Sequence, residues 1–212
     1  MEIKAVVFDV GGTLIDESRQ WLMWAQWLDV SFATFMETLS SVIARREHHR
    51  RVFEILRPGF DLAKAREERH RAGIPDEFSA DDLYPDAADC LARLRERGLR
   101  VGIAGNQPQE FERIIRDLHL PADFVASSAG WDVEKPAPGF FQRISRELRL
   151  NPASIAYAGD RLDNDILPAR AAGMFAVFVK RGPWGIVHAR WPEAFQAHVT
   201  IEDLKELPNQ LR

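Results

Sequence analysis

The chain contains 212 residues, of which 46% are hydrophobic and 28% are charged. This ordinary globular composition excludes a wholly disordered or fibrous chain, and the length allows one domain with or without a sizeable insertion. The formal net charge of −4 argues against a general nucleic-acid-binding protein. No apolar run reaches the roughly 20 residues that a membrane-spanning helix needs. The single cysteine, Cys90, cannot form an internal disulfide, so we expect a protein of the reducing cytoplasm.

Five short apolar segments predict the strands of a sheet. The first, residues 3–8, is β-branched and almost wholly apolar, which is typical of a central strand buried on both faces. The other four are residues 100–104, 123–127, 154–158 and 175–179. From Leu83 onward, helical patterns alternate with these strands, at residues 85–97, 109–118, 140–148 and 163–172. The alternation predicts an α/β fold with a parallel sheet and right-handed crossovers.

Residues 16–82 interrupt this alternation. They contain no convincing strand but several apolar stripes at helical spacing, such as Trp21, Trp24 and Trp27, which we interpret as packing residues of a helical insertion. Within the insertion, residues 45–71 carry nine Arg or Lys against five Asp or Glu. A solvated helix face is the favoured interpretation of this charge run. The alternative is a lid that attracts an anionic substrate.

Polar residues follow four of the predicted strands at their carboxyl ends, where open parallel sheets bind ligands. Asp9 follows the first strand, Asn106 the second and Lys135 the third, while Asp160 and Asp165 follow the fourth. The three carboxylates are hard oxygen ligands suited to Mg²⁺. Lys135 is a compact positive charge that could balance them and hold a phosphoryl oxygen.

These motifs resemble those of the haloacid dehalogenase-like superfamily. The matching segments are FDVGGTL at 8–14, VGIAGN at 101–106, EKPAPGFF at 134–141 and YAGDRLDNDILPARAAGM at 157–174. The resemblance covers the whole chain. It implies a Rossmann-like catalytic core of residues 1–15 and 83–212, with residues 16–82 as an inserted helical cap. It also implies a Mg²⁺-dependent phosphohydrolase that acts on a small phosphorylated metabolite.

The resemblance assigns a role to each matching residue. Asp9 would be the nucleophile that forms a covalent aspartyl intermediate. Asp9, the backbone carbonyl of Gly11 and Asp160 would bind Mg²⁺, with Asp165 supporting the ion directly or through water. Lys135 would neutralise Asp9 and the phosphoryl group. The residues implied to hold the transferring group are Gly12, Thr13, Gly105, Asn106 and Lys135.

Two positions depart from the pattern of the family's phosphatases. Gly11 stands where they have a second Asp as general acid and base, and Gly105 stands where they have a hydroxyl residue. Loss of a general acid or base forfeits about 10²–10⁴-fold in rate, and loss of one hydroxyl contact costs roughly 1–3 kcal/mol. Gly11 keeps its backbone carbonyl, so the expected metal site remains.

The departures leave three alternatives open. The first is a catalytically impaired protein that binds an anion or a partner. The second is a metal-free 2-haloacid dehalogenase, against which the intact Asp160 and Asp165 argue. The third is phosphonate cleavage through a Schiff base on Lys64, the only lysine of residues 16–82, although its charged surroundings favour a solvated residue. The substrate and the oligomeric state do not follow from the sequence.

Overall fold

The computed structural model describes residues 2–74 and 78–211. The chain forms two compact units. The first consists of Met1–Asp16 and Leu83–Arg212, and the second is Glu17–Asp82.

The first unit contains a six-stranded parallel sheet. Its strands are β1 (Ala5–Phe8), β2 (Arg100–Gly105), β3 (Phe124–Ser127), β4 (Ile155–Gly159), β5 (Phe175–Val179) and β6 (Val199–Ile201). They lie in the order β3-β2-β1-β4-β5-β6, with β1 between β2 and β4, where Ala5 pairs with both Arg100 and Ile155. All four residues of β1 are buried. This order brings the residues that follow β1, β2 and β4 to one edge of the sheet.

The five predicted strands and the α/β class are confirmed, but the sequence analysis missed β6. Only three residues long, β6 pairs with β5 at the edge of the sheet, and of its residues only Ile201 is buried. A strand so short and so partly exposed lacks the apolar run that marks the central strands.

The helices of the first unit separate the strands. In chain order they come after four helices of the second unit, so they are numbered from five. They are α5 (Ala87–Glu96), α6 (Glu110–Asp117), α7 (Ser128–Trp131), α8 (Pro138–Leu148), α9 (Leu167–Ala171), α10 (Gly182–His188) and α11 (Leu207–Gln210). The predicted helix at 163–172 is wrong in detail. A π-helical turn, Leu162–Ile166, precedes a shorter α9. Pro168 lies at the start of α9 because a proline fits the first turn of a helix but not its interior.

The second unit is helical, with α1 (Ser18–Trp27), α2 (Phe32–Ala44), α3 (Arg51–Leu56) and α4 (Leu62–Arg71). Its core is aromatic: the Trp24 ring meets Phe53 edge-on at 4.9 Å between centroids, and the Trp21 and Phe35 rings stack at 5.9 Å. The packing role of Trp21 and Trp24 is therefore confirmed, while Trp27 is half-buried.

The charged residues of the run 45–71 lie on a solvated surface, as the sequence analysis predicts, with one exception. The Arg69 side chain is buried, and its guanidinium lies 3.9 Å from the centroid of the Trp24 ring. Lys64 is exposed and pairs with Glu68 across one helical turn. In the part of the chain that the structure describes, no helix combines the length and the apolar character needed to cross a membrane.

Candidate active site

Asp9 lies at the carboxyl end of β1 and is held by its backbone. Its N–H donates to the carbonyl of Ala158 at 2.8 Å, which continues the ladder between β1 and β4. The chain then turns sharply, with the N–H groups of Leu14 and Ile15 donating to the carbonyl of Val10 at 2.8 and 2.9 Å. The turn keeps the Asp9 carboxylate at the edge of the sheet, and its side chain is 10% exposed.

Lys135 joins two of the predicted acidic residues. Its Nζ lies 2.7 Å from Oδ1 of Asp9 and 2.6 Å from Oδ1 of Asp165, and its side chain is buried. Buried charges are stable only when they are paired and hydrogen-bonded. The ammonium therefore neutralises the nucleophile candidate and ties it to the loop after β4.

Asn106 positions Lys135 through its backbone. The Asn106 side-chain amide donates to the Lys135 carbonyl at 2.8 Å, and the Lys135 N–H donates to Oδ1 of Asn106 at 2.8 Å. Both ends of the amide are thus used on one residue, 29 positions away in the chain. The structure gives Asn106 a positioning contact, and a contact with a transferred group stays a prediction.

Asp9, Asp160 and Asp165 form a buried acidic cluster. One oxygen from each lies within 4.8 Å of the others. Two glycines make this approach possible, because a Cβ atom at Gly12 would collide with the Asp160 carboxylate and one at Gly159 with that of Asp165. The φ angle of +65° at Gly12 also favours glycine. Three clustered carboxylates are a donor set that fits Mg²⁺.

The π-helical turn after β4 orients Asp165. The Arg161 N–H donates to Oδ2 of Asp165 at 2.9 Å, while the Arg161 guanidinium holds both carboxylate oxygens of the more exposed Asp163 at 3.0 and 2.7 Å. Burial and the neighbouring Asp9 raise the pKa of Asp165 to about 7, against the effect of Lys135. Burial alone would lower the pKa of Lys135, but Asp165 and Asp9 hold it well above its usual value. The ammonium therefore stays charged at neutral pH.

The two departures from the family pattern lie at this edge of the sheet. A Cβ atom at Gly105 would come within 2.6 Å of Oδ1 of Asp9, so the Asp9 carboxylate fills the space beside β2. Gly11 follows Asp9 by two residues in the turn and pairs with Ile15 in an isolated bridge. Thr13 is fully buried, and among the described residues its hydroxyl has no hydrogen-bond partner.

Sequence reasoning missed one charged residue that reaches this loop. Arg181, in the segment after β5, donates through Nη2 to the carbonyl of Thr13 and through Nη1 to the carboxylate of Asp86 at 2.9 and 2.8 Å. The Gly-Pro-Trp-Gly pattern that follows Arg181 predicts a turn, but the structure has the first residues of α10 there. The pattern gives no signal for the contacts of Arg181, which join residues 95 and 168 positions apart.

Comparison with known proteins identifies the family of the chain. A family model described as haloacid dehalogenase-like hydrolase matches residues 3–173. The chain belongs to this family of hydrolases.

The relatives include phosphatases and dehalogenases. A glyceraldehyde 3-phosphate phosphatase of Methanopyrus kandleri is 32% identical over 204 residues, covering 86% of each chain. A dehalogenase solved as an intermediate complex is 22% identical with a TM-score of 0.70, covering 99% of this chain and 97% of the other. A putative hydrolase of the family from Bacillus subtilis, bound to magnesium, is 17% identical with a TM-score of 0.69 and full coverage of both chains. The last two likenesses concern the fold.

Proposed function

We propose that this protein is a Mg²⁺-dependent phosphohydrolase that transfers the phosphoryl group of a small metabolite to Asp9 and then to water. The observation that carries the proposal is the position of the Lys135 ammonium, 2.7 Å from Asp9 and 2.6 Å from Asp165. These two carboxylates form the acidic cluster together with Asp160. Such a pairing of a carboxylate nucleophile with cations suits the attack of an anion on an anionic phosphate.

In the first step, an oxygen of Asp9 forms a bond to phosphorus while the bond from phosphorus to the leaving-group oxygen breaks. The electron pair goes to the leaving-group oxygen, and an alcohol leaving group takes up a proton from water, which is left as hydroxide. In the second step, water attacks the aspartyl phosphate and releases inorganic phosphate and the free carboxylate. Lys135 neutralises charge in both steps and keeps the nucleophile in place.

Asp9, Asp160, Asp165 and the carbonyl of Gly11 would hold the Mg²⁺ ion. When bound, Mg²⁺ supplies a positive charge that offsets the charge of the transferring phosphoryl group. The magnesium in the B. subtilis relative supports this part of the proposal.

A small phosphorylated metabolite is the proposed substrate. The M. kandleri relative, whose name states that it acts on glyceraldehyde 3-phosphate, supports this class. As part of the same proposal, residues 16–82 serve as a cap that selects the substrate, and the protein works in the cytoplasm, which the single cysteine favours.

The experiment is a panel of phosphate esters assayed for phosphate release with Mg²⁺ and with a chelator. We expect turnover only with Mg²⁺ and no turnover in Asp9→Asn. We also expect calorimetry to show weaker Mg²⁺ binding by this variant. Asp163→Asn is the matched control, because Asp163 is an exposed acid that pairs with Arg161, and we expect it to keep its activity. Wild-type turnover in folded Asp9→Asn would remove Asp9 as the nucleophile.

Two other outcomes would replace the proposal. Because Gly11 and Gly105 lack the expected side chains, binding of vanadate or phosphate without turnover would identify an anion-binding protein of this family. Release of halide from a 2-haloacid without Mg²⁺ would identify a dehalogenase, the reaction named for one protein of similar fold.

A further inference from the structure

We propose that Arg181 is a positioning residue that fixes the turn carrying Asp9, Gly11 and Gly12 by holding the carbonyl of Thr13. This inference rests on the proposed function for its kinetic readout but not for its structural one. The residue lies at the end of the segment after β5, just before α10.

Arg181 contacts three residues in two separate stretches of the first unit. Its Nη2 donates to the Thr13 carbonyl, and its Nη1 donates to both oxygens of Asp86 at 2.9 and 2.8 Å. Its guanidinium carbon also lies 3.8 Å from the centroid of the Tyr84 ring. A planar guanidinium can satisfy all three contacts at once, whereas a lysine ammonium cannot reproduce this fork.

Asp86, the ion-pair partner of Arg181, is itself held by a further hydrogen bond. Its Oδ2 also accepts the N–H of Leu204 at 2.8 Å, and its side chain is 6% exposed, against 12% for that of Arg181. Separating this buried pair would leave the Asp86 carboxylate without its cation, which is costly, although Nε of Arg181 has no hydrogen-bond partner among the described residues. The pair is therefore a rigid anchor rather than a surface ion pair.

The anchored carbonyl belongs to the turn that shapes the site. The Thr13 N–H donates to the Val10 carbonyl at 3.2 Å, and the Gly12 N–H to the Ile15 carbonyl at 2.9 Å. The segment after β5 also comes close to the turn, since a Cβ atom at Gly182 would lie 3.2 Å from Cα of Gly12. Arg181 thus restrains the stretch between the nucleophile and the first helix, without touching the reacting atoms itself.

Kinetics of Arg181→Ala test the inference with a phosphate ester that the wild type hydrolyses. A displacement of about 1 Å in a reacting group costs about 10²-fold in rate, so we expect kcat to fall by about that factor while KM changes little. Added guanidinium, well below denaturing concentrations, should restore part of the lost kcat. Lys180→Gln is the matched control, because this neighbouring lysine pairs with Glu202 at the surface, and it should keep the wild-type kcat.

Hydrogen exchange measured by mass spectrometry gives a second readout that does not need activity. Relative to the wild type, we expect Arg181→Ala to accelerate exchange more in the peptide covering residues 9–15 than in peptides from β1 or β4. Exchange accelerated equally throughout the first unit would indicate a purely structural role and overturn the proposal. Wild-type kcat in a folded Arg181→Ala would overturn it as well.

Two further arms keep the test decisive. If Arg181→Ala does not fold because Asp86 is left buried without its cation, Arg181→Lys takes its place. Wild-type kcat together with unchanged exchange in that variant would overturn the proposal. If the wild type hydrolyses no phosphate ester, the proposed function fails, and exchange at residues 9–15 alone decides the role of Arg181.

Discussion

Replacing Gly11 with Asp should add a proton donor two residues after Asp9, at the position where the family's phosphatases resemble one another in having an Asp. Two groups near Asp9 are already engaged: the Lys135 ammonium is held by two carboxylates, and the Tyr157 hydroxyl donates to the carbonyl of Ala104 at 2.9 Å. A positioned general acid contributes about 10²–10⁴-fold, or roughly 2.7–5.5 kcal/mol of activation free energy. We expect the lower end, about 10²-fold, because the new side chain has no neighbours selected to orient it.

The gain should depend on the leaving group. Phenyl phosphate releases a phenol with a pKa of about 10, whereas acetyl phosphate releases a carboxylic acid with a pKa of about 4, which departs without a proton. Gly11→Asp should therefore raise kcat/KM for phenyl phosphate by about 10²-fold and change that for acetyl phosphate much less. The wild type should strongly prefer acetyl phosphate. Both rates are measured as phosphate release in saturating Mg²⁺.

Gly11→Asn is the control, because it has nearly the same shape as the Asp variant but cannot transfer the proton. It should not raise the rate with phenyl phosphate. An unchanged or lower rate in a folded, Mg²⁺-binding Gly11→Asp variant would refute the reasoning. So would a wild type that hydrolyses both compounds equally fast, since that result would require an acid from another part of the chain.

Two further predictions concern stability and reactivity. The hydrogen bond from Arg19 holds the pKa of Asp82 below its usual value, so this contact stabilises the fold above the unfolded pKa of about 3.9 and is lost as the pH falls through the folded value. Asp82→Asn should lower the free energy of unfolding by about 1 kcal/mol at pH 7, with the difference from the wild type shrinking toward pH 3 in urea titrations; a constant difference would contradict this. Burial raises the pKa of the Cys90 thiol to about 12, so a thiol reagent at pH 8 should modify the native protein at least about 10³-fold more slowly than the unfolded chain. Rapid labelling of the folded protein would show that Cys90 is accessible.

The central strands and their terminal residues could be predicted from the sequence because each depends on local information. Residues 5–8 form an apolar run that suits only a strand covered on both faces, and all four are buried. Asp9 and Asp160 follow neighbouring strands, so the parallel topology alone brings them together. Their joint presence at one sheet edge follows from that topology and needs no knowledge of side-chain contacts.

Features that depend on distant partners could not be predicted. The edge strand β6 exists because Val199 and Ile201 pair with β5, and its own residues give no strong signal. The π-helical turn at Leu162–Ile166 accompanies a long-range contact, because it carries Asp165, whose carboxylate lies where a Cβ atom of Gly159 would be. Helical periodicity does not distinguish such a turn from the first turn of an α-helix.

Asn106 shows the same limit within the site itself. An amide at the end of a strand could bind a ligand or hold another part of the chain, and its chemistry is the same in both cases. Here the amide forms hydrogen bonds with both the N–H and the carbonyl of Lys135, so it fixes the position of that backbone and the direction in which the side chain leaves it. A four-carbon side chain loses rotamer freedom when it is buried between Asp9 and Asp165, and a fixed backbone at Lys135 keeps its direction toward these two carboxylates constant. Under the proposed function, Asn106 would therefore act on the reaction through the ammonium that it positions.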